Sequence, residues 1–220
     1  MSIASRYAAY CLGLTLVLAV AAPAQKSASP ADKPQPQVVS LFDGKTMGHW
    51  KTTEFGGQGE VKVEDGKMIV TRGELLSGVT WQGEPPAKMN YEIELDAQRL
   101  AGADFFCGLT FPVNNDCASL ILGGWGGALC GISCLDGNDA ANNETTKIVP
   151  FKNGQWYHVR LRVQPDKIQA WVDDQQIVDA DIKDRKISVR FEVEASQPLG
   201  LAAYQTEAAF KNIRLKKLAK

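Results

Sequence analysis

The chain is short of imidazole and of net charge. Two histidines, His49 and His158, stand among 220 residues, and 24 basic side chains almost cancel 25 acidic ones. The near-neutral balance excludes the concentrated basic surface that a phosphate backbone demands, so nucleic acid is not an expected partner. No apolar run reaches the roughly 18 residues of a membrane span, and integral membrane association is excluded with it. No nicotinamide or flavin fingerprint occurs, and neither histidine has a Ser or Asp motif partner for a nucleophilic triad. The glycine-rich "GGWGG" (123–127) has no following Lys-Ser/Thr and no helix to present its N–H groups, so it is not a phosphate cradle.

What is present begins with an export signature. Arg6, the apolar run "CLGLTLVLAVA" and the small-residue ending "APA" make residues 1–24 read as a signal peptide, placing the mature protein in the periplasm or outside the cell. Residues 25–39, polar and Pro-rich, read as a flexible linker. The folded domain is then 40–220, long enough to bury a core without staples. Four cysteines follow the leader, Cys107, Cys117, Cys130 and Cys134. In an oxidising compartment an even number points first to disulfides, with three connectivities, and next to buried thiols. Their spacing lacks the paired C-x-x-C units of a zinc site.

From Leu41 onward the apolar residues alternate with period two. Tyr91, Ile93, Leu95 and Ala97 face one way in "YEIELDA", and Tyr157, Val159, Leu161 and Val163 do so in "WYHVRLRV". "KIQAWVDD" and "ISVRFEV" repeat the pattern, and "EDGK", "KNGQ" and "DDQQ" mark turns. Nothing reads as a long amphipathic helix. Strands with one buried face predict an all-β sandwich of two antiparallel sheets packed face to face.

Outward residues then carry the chemistry. Trp171 lies on an outer strand face, where an indole offers a flat surface for the C–H face of a sugar ring. His158 and Arg160 share a face, with His158 a candidate catalytic base and Arg160 a hydroxyl or enolate contact. Glu92, Glu94 and Asp96 also share one, at an i, i+2 spacing of about 6.6 to 6.8 Å that broadly suits paired-carboxylate chemistry, although their order is unlike the usual glycosidase motif. The loop "DGNDAANNET" collects oxygen ligands: Asp136 and Asp139 are candidates for a divalent cation such as calcium, and Asp136 and Glu144 for catalysis. Trp125, Asp139 and Asn142 are candidate carbohydrate contacts at a groove edge, although Asn and Asp are also what turns prefer.

An ordered series, "LFDGKTMGHWK" (41–51), "VEDGKMIV" (63–70), "YEIELDAQ" (91–98) and "AAFKNIRLKKL" (208–218), resembles the family of exported 3-keto-glycoside hydrolases. The resemblance covers about residues 40–218 and implies a concanavalin A-like jelly roll with a sugar-binding groove. It implies action on glycosides oxidised at C3: a base takes the acidified C2 proton, the C1 substituent leaves, and water adds to the enone. Such a site uses an enolate stabiliser, often a metal ion. The chain departs from the family where an Arg is replaced by Pro112, and where a Leu-Gln-x-His stretch reads Leu201, Ala202, Ala203 and Tyr204. A hydrolase or lyase on 3-keto-glycosides is the first expectation, and a non-catalytic carbohydrate-binding module on the same scaffold the second.

Overall fold

The structure is a computed structural model that describes residues 37–219. The segment expected to be an export leader and nearly all of the Pro-rich stretch lie outside the described residues. Among the described residues the strands are, in order, β1 (Val38–Ser40), β2 (Trp50–Thr52), β3 (Val61–Glu64), β4 (Lys67–Val70), β5 (Leu76–Trp81), β6 (Tyr91–Ala101), β7 (Cys107–Val113) and β8 (Asp116–Gly123). They continue as β9 (Leu129–Ser133), β10 (Lys147–Ile148), β11 (Trp156–Gln164), β12 (Lys167–Val172), β13 (Gln175–Asp181), β14 (Gly200–Tyr204) and β15 (Glu207–Lys217). The first sheet runs β13-β12-β11-β6-β15-β4-β3 with β1 also on β15, and the second runs β10-β9-β8-β7-β14-β5-β2. Neighbouring strands pair antiparallel throughout, as in β6 with β11 and β7 with β8. Among these residues no helix is long and apolar enough to cross a membrane.

The period-two pattern places the core. Ile93 and Leu95 of β6, Val159 and Leu161 of β11, and Leu120 and Leu122 of β8 are fully buried between the sheets. Burying each such side chain contributes about 1.5–3 kcal/mol. The motifs that carry the family resemblance are fold determinants. Asp43 Oδ1 accepts the N–H groups of Lys45 and Thr46 at 2.7 and 2.8 Å, closing a turn through Gly44 at φ 73°. Those N–H groups hold the Asp43 carboxyl below the usual range. Trp50 is buried, donates its indole N–H to the Leu41 carbonyl at 2.8 Å and meets Trp81 edge-on. His49 stacks on that same Trp81, and Phe210 and Ile213 lie in the core.

Three expectations are corrected. Val38 and Val39, assigned to the linker, pair with Lys216 and Leu215 as β1. "ISVRFEV" is not a strand: apart from a bridge between Ile187 and Leu135, it crosses the outside of the second sheet and closes as a 3₁₀ turn, Phe191–Ser196. Only part of its apolar set is buried there: Val189 and Val193 pack against Leu76 and Ala202 on that outer face, Ile187 joins the main core and Phe191 is left exposed. The cysteines are four buried free thiols rather than disulfides. Cys107 and Cys130 flank Leu122 from β7 and β9, two strand spacings apart. That is roughly 9–10 Å between Cα atoms, beyond the ~7 Å a disulfide spans.

Candidate functional site

The outer face of the second sheet is nearly bare of large side chains. One cross-strand row reads Gly78, Ala202, Gly108, Ile121, Gly131, and the next Thr80, Gly200, Thr110, Ser119, Ser133. Loops settle onto parts of this floor. A Cβ on Gly108 would stand 2.9 Å from the Phe105 ring, and one on Gly200 2.6 Å from the Ser196 carbonyl. Between these covers a cavity of about 360 Å³ remains open, floored by Ser119, Ile121 and Ser133. Phe105, Tyr204 and Trp125 wall one side, and Arg190, Glu192 and Val193 the other. Phe105 and Tyr204 stack with centroids 5.9 Å apart.

Trp125 is presented by the turn between β8 and β9. Trp125, Gly126 and Gly127 all take positive φ, which the two glycines adopt without strain and which lifts the indole outward to 49% exposure. Asp104 accepts the Gly126 N–H through Oδ2 at 3.3 Å and the Phe105 N–H through Oδ1 at 2.7 Å. Behind both stands Arg99, buried and without a carboxylate partner among the described residues. Its guanidinium donates to Asn153 Oδ1 at 2.7 Å and to the carbonyls of Phe151, Gly127 and Asp104 at 2.8, 3.2 and 3.4 Å.

Across the groove, Arg190 donates to both oxygens of Glu192 at 3.1 and 2.7 Å and to Asp139 Oδ2 at 2.5 Å. The hydrogen bonds from Arg190 hold the Glu192 carboxyl below its usual range. The loop 136–146 is pinned to β9. Asn143 donates to the Ile132 carbonyl at 2.8 Å, and Thr145 Oγ1 accepts the Ile132 N–H at the same distance.

The expected site residues divide between the two faces. Trp125 lines the groove, and Asp139 and Asn142 border an adjoining hollow. Asp136 and Glu144 lie in the same loop but are not among the lining residues. Asp136 accepts the Lys186 N–H and an Arg185 N–H, and Glu144 receives Arg185 as well. These bonds keep both carboxyls below their ordinary range, the Lys186 N–H leading for Asp136 and Arg185 for Glu144. Such carboxylates brace a loop and are weak proton acceptors. The oxygen donors of Asp136 and Asp139 do not fit a calcium site as they stand, because Arg185, Arg190 and backbone N–H groups occupy them.

His158, Arg160 and Trp171 lie on the opposite, outer face of the first sheet. His158 Nδ1 is 2.9 Å from Asp96 Oδ1, and Asn212 donates to Asp96 Oδ2 at 2.6 Å. The Arg160 guanidinium covers the Trp171 ring at 4.2 Å, which occupies the surface a sugar would need. Glu92 pairs with Arg162 and Glu94 with Arg214, so the three strand carboxylates form a cross-strand charge ladder. A hollow of about 390 Å³ adjoins His158, bordered by Ser40, Phe42 and Arg214.

Sequence reasoning missed Phe105, Asp104, Arg190 and Glu192. Tyr204 and Ala202 were seen only as departures from a family pattern, yet both sit on the groove face.

The two-sheet antiparallel order and the open outer face define a jelly-roll sandwich of the concanavalin and galectin type. Among solved structures of this kind is carbohydrate-binding module CBM66 from Bacillus subtilis, at 17% identity and TM-score 0.52 over 77% of this chain and 96% of that one. A prokaryotic beta-1,3-1,4-glucanase (lichenase) from a mouse hindgut metagenome is 9% identical, with TM-score 0.53 over 84% and 100%. A protein of unknown function with a galectin-like fold from Bacillus subtilis is 7% identical, with TM-score 0.55 over 84% and 97%. These likenesses are of fold. Residues 37–216 match the 3-keto-alpha-glucoside-1,2-lyase-like domain, and the chain belongs to that family. No curated protein matches the sequence.

Proposed function

We propose that the protein binds carbohydrate in the groove of the second sheet, as a recognition module built on the scaffold of its family. The observation that carries this reading is the groove's lining: exposed and half-buried aromatic rings over a floor of Ser119, Ile121 and Ser133, with Arg190 and Glu192 tied to one another and to Asp139. Aromatic faces take the C–H faces of sugar rings, and polar groups at the rim take sugar hydroxyls. Both imidazoles of the chain lie elsewhere, His49 on Trp81 and His158 on the other sheet. The leader at residues 1–24 supports an exported location, and N-terminal sequencing of the mature protein tests it by finding Gln25 or a later residue first.

A second reading is the lyase or hydrolase reaction on 3-keto-glycosides, and Asp104 favours it. Among the described residues this groove carboxylate has no cationic partner and accepts only two backbone N–H groups, so it is the group placed to take a C2 proton. Purified protein incubated with 3-keto-disaccharides, with and without a chelator, separates the two. Binding without turnover supports the module; turnover that Asp104→Asn abolishes while binding persists establishes the enzyme.

A further inference from the structure

The groove continues past Arg190. Arg190 and Glu192, which wall the 360 Å³ cavity, also border a second hollow of about 490 Å³ lined by Asn138, Asp139, Asn142 and Phe191. One ion-pair cluster therefore stands between two concavities, each of the size that holds a small ligand. It is a fixed partition, because the planar guanidinium is already filled by Glu192 on one side and Asp139 on the other. Each concavity has its own exposed apolar platform, Trp125 in the first and Phe191, 77% exposed, in the second. Of the exposed large hydrophobics among the described residues, Leu75, Trp125 and Phe191 border this one groove, while Val38 and Ile148 lie elsewhere. Charge narrows the occupant further. Asp104, Asp139 and Glu192 outnumber the guanidinium groups of Arg190 in the wall and Arg99 behind Asp104, so the groove carries an excess of negative charge that repels an anionic ligand.

Resting on the carbohydrate-binding reading above, we propose that the groove is a two-subsite cleft for an uncharged oligosaccharide of at least two rings. One ring lies on Trp125, the chain passes over the Arg190–Glu192 pair, and the next ring lies against Phe191 with Asn142 at its edge. Loss of either platform removes one ring's contact and leaves the other in place.

Titration calorimetry on the full chain tests this with glucose, maltose, sucrose, trehalose and maltotriose, and with a glucuronic-acid-containing disaccharide as the anionic probe. The tightest neutral disaccharide is expected to bind about tenfold or more tighter than glucose. Trp125→Ala weakens both by about three- to tenfold, whereas Phe191→Ala weakens the disaccharide by a similar factor and leaves glucose unchanged. The anionic disaccharide binds more weakly than its neutral counterpart. Equal affinity for glucose and disaccharides, or a Phe191→Ala protein with undiminished disaccharide affinity, overturns the two-subsite cleft while leaving carbohydrate binding standing. Binding of none of these sugars overturns the carbohydrate reading itself, and this one with it. Phe191 is exposed, so an unchanged thermal midpoint in its variant separates lost contact from lost fold.

Discussion

Arg99 offers the sharpest test of how the groove is held. The residue is 6% exposed and pairs with no carboxylate among the described residues, yet its donors reach the Phe105-bearing segment, the Trp125-bearing turn and the 151–153 loop at once. Arg99→Met keeps an apolar side chain and removes the donors, together with the guanidinium that lies over the Phe106 ring at 5.7 Å. The bonds to Asn153 and Phe151, at 2.7 and 2.8 Å, are the well-formed ones; those to Gly127 and Asp104, at 3.2 and 3.4 Å, are weaker. At about 1.5–3 kcal/mol for each strong charge-assisted bond, less the relief of no longer burying a cation, the net loss is about 3 kcal/mol. For a domain of this size each kcal/mol moves the midpoint by about 2–4 °C, so thermal unfolding followed by circular dichroism should fall by about 6–12 °C. Sugar affinity should fall as well, because the turn carrying Trp125 loses its anchor at Gly127, and Arg99→Lys should recover part of both. A midpoint within 2 °C of the parent protein would refute the structural role. A lowered midpoint with unchanged sugar affinity would refute the positioning role alone.

The remaining expectations concern the loop, the thiols and the far face. Asp136 and Glu144 have folded-state pKa values below their unfolded ones, Asp136 through the Lys186 N–H first and Arg185 after it, Glu144 through Arg185, so these contacts stabilise the fold above about pH 4 and that contribution is lost as the pH falls through the folded values. Thermal midpoints of the parent and Arg185→Gln proteins should therefore differ at pH 7 and converge toward pH 3; a constant gap would show that the pairs contribute nothing pH-dependent. Burial pushes the Cys117 and Cys130 thiols up to about 11 and that of Cys107 higher still. A thiol reagent at pH 8 should find no rapidly reacting group in the native mature protein and four after denaturation, with no change in midpoint on adding a reductant. Two or four missing thiols would mean that disulfides had formed. Arg160→Ala removes the nearer of the two guanidinium groups over Trp171, leaving Arg162 at 5.4 Å, and should cost about 0.5–1 kcal/mol of stability, with sugar affinity unaltered. A loss of affinity there would move the binding site to the first sheet.

Much of the architecture was legible because its signals are local. The alternation in "YEIELDA", "WYHVRLRV" and "KIQAW" reproduces the inward and outward faces of β6, β11 and β12 residue by residue. The terminal motifs were informative for a physical reason: an Asp-Gly turn, a buried Trp50 and the core residues Phe210 and Ile213 leave little freedom to vary. "ISVRFEV" misled because period two reports one apolar face and says nothing about hydrogen-bond partners. Val189 and Val193 found their apolar contacts on the outside of a sheet that already had neighbours for its strands.

The site was legible only in part, and the reason lies in what each kind of residue does on a sheet. Conspicuous charges such as Glu92, Glu94, Asp96, His158 and Arg162 draw attention in a sequence. In the antiparallel register, however, Glu92 faces Arg162, Asp96 faces His158 and Glu94 sits beside Arg214, so their functional groups answer one another. A groove requires the opposite, positions where the strand presents little. Gly78, Gly108, Gly131, Gly200, Ser119 and Ser133 are scattered across five strands and have no period of their own in the chain. Only the pairing of β5, β14, β7, β8 and β9 brings them into two adjacent rows. The room they leave is then walled by loops whose placement depends on distant partners: Phe105 needs Gly108 beneath it, and Arg190 needs Asp139 from another loop. Trp125 was the exception, legible because an indole set among glycines has no strand face to fill. On this fold, then, the outer face with the fewest functional groups is the one with room for the proposed ligand, and the face with the most holds itself together.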